Sequence, residues 1–489
     1  MGYYPIKCIR CAHISTNDEV LFDTQDVVGT MGGALSKDTS GLVDDQNRTA
    51  ASLFSDDDDD DNKKGNKKEK MPQYMSINEL VEYSDKNGLA ECKKHYQIVK
   101  ITPDFANVPS AAVDEGVLVG VSFQKSKGAA IVRASRRFCP YCKCEIPTLS
   151  GSMPTYNVTI MGTSASGKTV YLSALNWLLG QGEVSPGPGR LTCISANRAN
   201  AEFVNRSNLL FEEGTLPGTT QIIMTEPLVV QMTYSVRCGK EVRHKRCLFS
   251  IADMRGEDLI AQDGDNLMLR GEYFASSDAF MLLISPLNIS RISRTLQIKG
   301  EAGGSGIHQT LMSNIESYIL PHFENHAISK PTAIMLSKCD ILMNTPDRKN
   351  ADKLNIPLHN PVVAAENPNG KFTGTYFNVH NRGTQEVLRM DNTLLNFLHD
   401  TFPNSYYTSF SSLGKNVDIE EDENYVERVT NPNSIRPIRV VDPVVYILIK
   451  LGFLPELYRT ENAGDSKEKK ANNDRVMMEW WNRKTIQGG

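Results

Sequence analysis

A glycine-rich stretch in the first half of the chain limits the folds that the sequence can adopt. Residues 157–175 read NVTIMGTSASGKTVYLSAL. The apolar run before the glycines predicts a β-strand, and the run after them predicts a helix. Between them, Gly162 to Thr169 match the pattern GxxxxGK[ST], which wraps a phosphate when it lies between a strand and a helix. The chain is therefore expected to fold as an α/β protein around a phosphate-binding loop.

This loop has the residue types that nucleotide phosphates require. Its glycines let successive backbone N–H groups point at phosphate oxygens, and the start of the helix adds its positive dipole end. Lys168 would neutralise the β- and γ-phosphates, and the Thr169 hydroxyl would ligate Mg²⁺. The loop alone does not distinguish ATP from GTP. The residues predicted to contact the nucleotide here are Gly162, Ser164, Ala165, Ser166, Gly167, Lys168 and Thr169.

A second candidate Mg²⁺ contact follows another apolar run. Residues 247–258 read CLFSIADMRGED. Asp253 stands at the end of the predicted strand, where an aspartate can hold Mg²⁺ through water. Gly256 completes the pattern DxxG, and its N–H would approach the γ-phosphate and lose that contact on hydrolysis.

A later motif indicates which base is bound. The segment AIMLSKCDIL at 333–342 ends an apolar run with Ser337, Lys338 and Asp340. GTPases use [NT]KxD at this point: the aspartate accepts hydrogen bonds from guanine N1 and N2, which adenine cannot offer, and the lysine stem packs on the base. Ser337 replaces the usual Asn or Thr. The alternative interpretation is an ordinary charged surface loop.

A third strand followed by a turn comes near the end of the α/β region. The segment YYTSFSSLG at 406–414 contains SSL, which resembles the turn that offers a backbone N–H to guanine O6. The order phosphate loop, DxxG, SKCD and SSL is the order that GTPases require, so the motifs favour GTP and GDP as ligands. The predicted base contacts in this turn are Ser411, Ser412 and Leu413.

A switch threonine that completes the Mg²⁺ shell should lie between the phosphate loop and Asp253. Residues 211–221, FEEGTLPGTTQ, offer Thr219 and Thr220 in a loop rich in Gly and Pro. An ordered–disordered transition is plausible there. We prefer Thr220, and the alternative is an ordinary surface turn.

Residues from about 155 to 455 resemble the bacterial double-GTPase group of TRAFAC-class GTPases. The resemblance implies a Ras-like P-loop NTPase with a mostly parallel sheet flanked by helices, often preceded by a zinc ribbon. It also implies a role in multi-gene bacterial conflict and defence systems beside dedicated protein partners. The matching stretches are GTSASGKTVYLSAL, GTLPGTTQ, DMRGED, DAFMLLISPL, AIMLSKCD, SFSSLG and RVVDPVVYILIKLGFLP.

The residues after DxxG predict slow catalysis. Many small GTPases place a Gln there to orient the attacking water, but this chain has Glu257 followed by Asp258. A carboxylate beside a polyanionic phosphate is a poor general base unless a cation intervenes. Intrinsic hydrolysis should therefore be slow and be accelerated by a partner or by self-association. Arg255 is a candidate charge stabiliser, the alternative being a solvent-facing switch residue.

Two CxxC pairs predict a structural zinc site. Cys8 and Cys11 form the first pair, and Cys139 and Cys142 form the second. Two such knuckles make a tetrahedral Cys₄ zinc site. The separation between the pairs is long, so redox chemistry or unpaired thiols remain alternatives, and Cys144 could replace Cys142.

Composition and charge patterns divide the chain. Residues 1–150 are expected to form the zinc-ribbon module, interrupted by a disordered acidic and basic loop at 36–70 and a β-rich insert at 75–137. Residues 151–460 are the predicted GTPase domain. Residues 461–489 are a polar tail in which VMMEWWNRK reads as a short docking helix.

Composition also excludes several classes of protein. The net charge is −5 over 489 residues, so nucleic-acid binding is not indicated. The longest apolar run, at 444–454, is shorter than the roughly 20 residues that cross a bilayer. The N-terminus lacks the pattern of a signal peptide, so a cytoplasmic location is expected.

We therefore predict a GTP-hydrolysing switch that acts with protein partners. Oligomerisation of the switch itself is left open. One alternative is a nucleotide-gated scaffold that hardly hydrolyses GTP. The other is a P-loop ATPase, which would make the SKCD motif accidental.

Overall fold

The computed structural model describes residues 4–16, 19–23, 74–76, 100–102, 113–114, 117–118, 121–123, 132–134, 136–142, 144–162, 166–182, 184, 186, 189–195, 200–217, 227–238, 241–253, 274–298, 307–364, 372–415, 417–421, 426–455 and 480. The chain forms two compact units. One comprises residues 15–148, and the other comprises residues 2–14 together with 149–489. Within the described ranges, every helix is too short or too polar to span a bilayer.

The N-terminal part of the chain is built from short strands. Strands β3, β4, β5, β10 and β11 form a five-stranded sheet, and the others form two-stranded pairs, β1 with β2, β6 with β7 and β8 with β9. The expected small β-rich module is therefore present. The strands are β1 (Ile6–Lys7), β2 (Ile14–Ser15), β3 (Leu21–Asp23), β4 (Tyr74–Ser76), β5 (Lys100–Thr102), β6 (Val113–Asp114), β7 (Val117–Leu118), β8 (Val121–Phe123), β9 (Val132–Ala134), β10 (Arg137–Phe138) and β11 (Glu145–Ile146).

A seven-stranded sheet dominates the larger unit. Its order is β13-β14-β15-β12-β16-β17-β18. The pairs from β15 to β18 are parallel, whereas β14 is antiparallel to both of its neighbours. The predicted fold class, an α/β protein with a mostly parallel sheet, is confirmed. The strands are β12 (Thr155–Gly162), β13 (Arg190–Ser195), β14 (Leu228–Cys238), β15 (Glu241–Asp253), β16 (Ala279–Ile284), β17 (Thr332–Leu336) and β18 (Ser405–Ser409).

Helices cover both faces of this sheet, because its central strands are apolar on both faces. In β16, Met281 and Leu283 belong to one apolar core, whereas Phe280 and Leu282 belong to the core on the opposite face. This is the pattern of a buried parallel sheet. The helices are α1 (Lys168–Gly180), α2 (Asn200–Glu213), α3 (Ser290–Leu296), α4 (Ile307–Asn314), α5 (Asn350–Lys353), α6 (Pro361–Ala364), α7 (Gly374–Leu388), α8 (Asn392–Thr401) and α9 (Asp442–Lys450).

Two smaller features lie on this unit. Strands β19 (Ile419–Glu421) and β20 (Glu427–Val429) form an antiparallel hairpin. In the C-terminal tail, Trp480 is helical and buried, and its Nε1–H donates to the Gly452 carbonyl at 3.3 Å. Its ring also packs edge-on against Tyr234. The rest of the predicted docking helix lies outside the described residues.

Candidate functional site

Strand register brings two of the predicted motifs together at the carboxyl end of the sheet. Strand β15 runs parallel to β12, with Asp253 opposite Ile160, two residues before Gly162. On the other side of β12, Gly162 lies opposite Leu283 of β16. Asp253 therefore ends its strand beside the start of the predicted phosphate loop, where the sequence predicts a Mg²⁺ contact.

Gly162 has no room for a side chain. A Cβ atom there would lie 2.8 Å from the Leu283 carbonyl oxygen and 2.8 Å from Ser166 Oγ. The Gly162 backbone therefore approaches that of Leu283 as closely as only glycine permits. Ser166 is buried, and its hydroxyl has no hydrogen-bond partner among the described residues.

The far end of the loop starts α1. Gly167 caps the helix in the left-handed region, with φ of 84°. The Lys168 ammonium folds back and donates to the Gly162 carbonyl at 3.2 Å, so the lysine spans the loop. Thr169 is half-buried in the first turn of α1. These features form a cradle at a helix N-terminus, the arrangement that suits an anion.

Ser337, Lys338 and Asp340 follow β17 at the same edge of the sheet. The Ser337 backbone N–H donates to the Ile284 carbonyl at 2.9 Å, and its hydroxyl reaches the same oxygen at 3.3 Å. Lys338 then adopts φ of 48° and caps a 3₁₀ turn over Cys339–Leu342. Asp340, in the first turn of this segment, is half-buried.

The turn that contains Ser411, Ser412 and Leu413 follows β18, the next strand. The Gly414 N–H donates to Ser411 Oγ at 2.9 Å, and the Leu413 carbonyl accepts from the Arg436 N–H at 2.8 Å. This turn meets the preceding loop directly, because the Cys339 N–H donates to the Phe410 carbonyl at 3.0 Å. The two predicted base-reading segments are therefore neighbours.

The remaining predicted nucleotide residues lie outside the described residues. They include two loop positions, both candidate switch threonines and the residues after Asp253, and their roles stay predictions. They are Ser164, Ala165, Thr219, Thr220, Arg255, Gly256 and Glu257.

The structure also shows a connection that the motifs did not predict. Strand β20 pairs with the segment just after α2: the Val429 N–H donates to the Gly214 carbonyl at 2.8 Å, and the Leu216 N–H donates to the Glu427 carbonyl at 3.0 Å. Leu216 shares a small apolar cluster with β20, and Leu413 packs against that cluster. The hairpin thus links the segment that leads to the candidate switch threonines with the turn at 411–413 that is predicted to contact the base. Its only sequence signal is a short alternation of charged and apolar residues.

The four cysteines of the two pairs come together. The sulfur atoms of Cys8, Cys11, Cys139 and Cys142 all lie within 4.8 Å of one another. A tetrahedral zinc site with Zn–S bonds of about 2.3 Å places its sulfurs about 3.8 Å apart, so this donor set fits zinc. The Cys144 carbonyl oxygen accepts a hydrogen bond from the Cys139 N–H at 2.9 Å.

The Cys8–Cys11 turn is fixed to the large sheet near the amino-terminal end of β12. The Asn157 side-chain amide donates to the Cys8 carbonyl at 2.9 Å. Lys7 forms an ion pair with Asp278 at 2.7 Å, and the same carboxylate accepts from the Asn157 N–H. The Cys8–Cys11 turn is therefore held by the strand that carries the phosphate loop at its other end.

Comparisons with known proteins leave the site geometry as the main evidence. No protein-family model and no curated protein matches the chain. Among solved structures, it is similar to sup35 complexed with GDP (12% identity, 56% of this chain and 41% of that chain, TM-score 0.21) and to a variant of SsGBP (12% identity, 53% of this chain and 51% of that chain, TM-score 0.18). The chain thus spans about half or less of the length of these structures. Similarity at this level carries no argument about function.

Proposed function

We propose that this protein is a GTP-binding switch that hydrolyses GTP slowly. The observation that supports it is the position of three segments distant in sequence: the phosphate loop, residues 337–340 and residues 411–413 follow strands β12, β17 and β18 at one edge of the sheet. Ligands of open α/β sheets bind at the carboxyl ends of the strands. Functionally unrelated surface loops are not expected to combine the residue types of these three segments in this order.

The phosphate end of the site would use groups whose positions are described. Lys168, which donates to the Gly162 carbonyl, would turn to the β- and γ-phosphates when they enter the cradle. The Thr169 hydroxyl and, through water, the Asp253 carboxylate would hold Mg²⁺. When bound, Mg²⁺ neutralises charge that develops on the phosphate oxygens. Thr220 is proposed to complete the Mg²⁺ shell, and Arg255 and Glu257 are proposed to act in hydrolysis.

The base end of the site would select guanine. The Asp340 carboxylate would accept hydrogen bonds from guanine N1 and N2, and the Lys338 stem would pack on the ring. Ser337 would support the loop through its bonds to the Ile284 carbonyl. Backbone N–H groups of the turn at 411–413 would face guanine O6. Adenine has an acceptor at N1 and no amino group at C2, so it would leave the Asp340 carboxylate unpaired in the complex, which is costly.

Substitution of Asp340 tests this function. We expect Asp340→Asn to weaken GTP binding by about 2–4 kcal/mol, because two charge-assisted hydrogen bonds of about 1.5–3 kcal/mol each are lost and partly replaced. Xanthosine triphosphate should gain affinity, since the Asn amide can donate to the xanthine C2 carbonyl that a carboxylate repels. The measurement is competition binding with GTP, ATP and xanthosine triphosphate on both proteins. Wild-type preference for ATP, or an unchanged ranking in the variant, would contradict the proposal.

Hydrolysis and partners are a further part of the proposal. With Glu257 in place of the usual Gln, turnover should be slow alone and rise with a protein partner or on self-association. The resemblance to the double-GTPase group supports a place in a multi-protein bacterial system connected with conflict or defence. Measuring GTP turnover over a wide range of protein concentration, and then with the products of neighbouring genes, tests both statements.

The four-cysteine cluster is proposed to hold a structural zinc ion. Four thiolates fill a tetrahedral shell and leave no open position for substrate. The ion would therefore stabilise the N-terminal region and take no part in GTP hydrolysis. Metal analysis of protein purified without chelators should give one zinc per chain.

A further inference from the structure

A buried arginine stands behind both base-reading segments. Arg439 is only 2% exposed, and its backbone adopts φ of 55°, a conformation that costs about 1–2 kcal/mol for a residue with a side chain. The guanidinium makes polar contacts with three neutral groups, and its charge also acts on the buried Asp442 carboxyl, whose pKa it lowers against the larger effect of burial. Nη1 contacts the Pro361 carbonyl and His380 Nδ1 at 2.6 Å each, and Nη2 lies 3.7 Å from Cys339 Sγ.

Cys339 is the third residue of the SKCD motif, so Arg439 contacts the proposed base-binding loop on its buried side. Cys339 is fully buried, and its N–H is held by the Phe410 carbonyl. The arginine fixes the side chain of the same residue. The peptide that leads into Asp340 is therefore held at two points, one of them on the neighbouring turn.

The backbone around Arg439 holds the second base-reading segment. Ile438 exchanges two hydrogen bonds with Ser411, at 2.8 and 3.1 Å, and the Arg436 N–H donates to the Leu413 carbonyl. Residues 436–439 thus bind the turn through main-chain hydrogen bonds, and they contact the SKCD loop through the Arg439 side chain. A single four-residue segment sets the distance between the two.

The partners of the guanidinium suit this fixed geometry. His380 is buried, and burial together with the Arg439 charge lowers its pKa to about 3. The imidazole is therefore neutral at physiological pH, and its Nδ1 accepts from Arg439. A rigid fork that donates in several directions is what arginine supplies and lysine does not.

We propose that Arg439 is a positioning residue for guanine recognition: it does not touch the nucleotide, but it fixes the Asp340 loop against the Ser411 turn. This inference rests on the proposed function, because it assigns Arg439 to the base-binding end of the same site. It predicts that base discrimination and phosphate binding respond differently when the guanidinium is removed.

The test compares GTP with inosine triphosphate. Inosine lacks the 2-amino group, so the ratio of the two dissociation constants reports how well Asp340 meets that group. Arg439→Met keeps most of the buried stem and should lower the GTP preference about tenfold, the loss expected when a hydrogen bond to a charged group is misaligned. Affinity for inorganic triphosphate, which reads only the phosphate loop, should not change. Arg439→Lys should restore part of the preference.

A matched control separates positioning from stability. Arg137 is also a buried arginine, with 1% exposure, and it donates to the Pro147 and Thr148 carbonyls in the N-terminal unit. Arg137→Met should lower the melting temperature and leave the GTP-to-inosine ratio unchanged. Cys339→Ala, which removes only the sulfur acceptor, gives a second and milder variant in case Arg439→Met does not fold, and it should also reduce the ratio.

The outcomes are distinct. A folded Arg439→Met or Cys339→Ala protein with the wild-type ratio overturns the positioning role, whatever its melting temperature. An equal fall in triphosphate affinity also overturns it, because the effect would then be a general loss of the site. A wild-type protein that binds GTP no more tightly than ATP refutes the proposed function itself.

Discussion

Alanine at position 162 tests whether the phosphate loop depends on the close packing of β12 and β16. The added Cβ would lie 2.8 Å from the Leu283 carbonyl oxygen and 2.9 Å from Leu283 Cβ. Leu283 is the register partner of Gly162, so the clash is with a paired strand and not with the end of a flexible side chain. One of the two strands has to move.

The expected destabilisation follows from this geometry. Forcing an extra methyl group into a packed interior costs about 1–3 kcal/mol, and the upper half of that range is expected because backbone is involved. The movement also displaces the Gly162 carbonyl, on which Lys168 rests. We therefore expect GTP affinity to fall about tenfold or more, which corresponds to about 1.4 kcal/mol.

Two other glycines, at the two ends of α1, supply controls. Gly180 has open space around it and no left-handed backbone, so Gly180→Ala should raise stability by about 0.5–1 kcal/mol. Gly167 also has open space but φ of +84°, so Gly167→Ala should cost about 1–2 kcal/mol through backbone strain alone. Urea denaturation without nucleotide measures all three. A Gly162→Ala protein as stable as the wild type would refute the packing argument.

Three further predictions concern the rest of the molecule. Lys168→Ala should abolish GTP binding in calorimetry while circular dichroism stays unchanged, because the main countercharge to the phosphates is lost; undiminished affinity would contradict the phosphate-loop assignment. Cys139→Ser, or chelation of zinc, should loosen the N-terminal region in hydrogen exchange and leave GTP affinity intact, because a structural site stabilises its surroundings locally. Burial raises the pKa of Asp442 from 3.8 to about 7, whereas the pKa of His380 falls from 6.5 to about 3. Between about pH 4 and 6.5 the folded state therefore binds one proton more than the unfolded state at Asp442 and one fewer at His380. Each difference changes the free energy of unfolding by about 1.4 kcal/mol per pH unit, and the two changes have opposite signs and cancel. Relative to the wild type, His380→Asn should lose stability as pH rises through this window, and Asp442→Asn should lose it as pH falls; urea midpoints that shift in parallel at every pH would contradict both shifts.

Much of the candidate site could be predicted because each motif follows an apolar strand. Gly162 and Asp253 end parallel neighbours, and Ser337 follows a third strand of the same sheet. Parallel strands place their carboxyl ends at one edge, so residues that follow them meet without further information. The antiparallel strand β14 was harder to foresee, because its apolar run has the same composition as the parallel strands.

The hairpin β19–β20 could not be predicted from its residues. Its strands are only three residues long, and β19 is fully exposed. Its position is determined by hydrogen bonds to residues 214–216, more than two hundred positions earlier in the chain. Gly214 allows this pairing, because a Cβ there would lie 2.6 Å from the Val429 carbonyl oxygen. A glycine after a helix usually indicates only a helix end, so the sequence gives no hint of the pairing.

The role proposed for Arg439 could not be predicted from the sequence either. Residues that contact a ligand keep a fixed spacing after a strand, because the strand end and the ligand together determine where they stand. A residue that supports them has to satisfy only a position in space. Arg439 lies 100 residues from Cys339 and 59 residues from His380, and an arginine in a sequence is normally taken for a surface residue. Its role is visible only in the structure, where the two terminal nitrogens of the buried guanidinium contact the Pro361 carbonyl, His380 and Cys339, and where loss of those contacts would leave them unsatisfied. Such a group tolerates little movement, and this intolerance is what would let it hold two loops at a set distance.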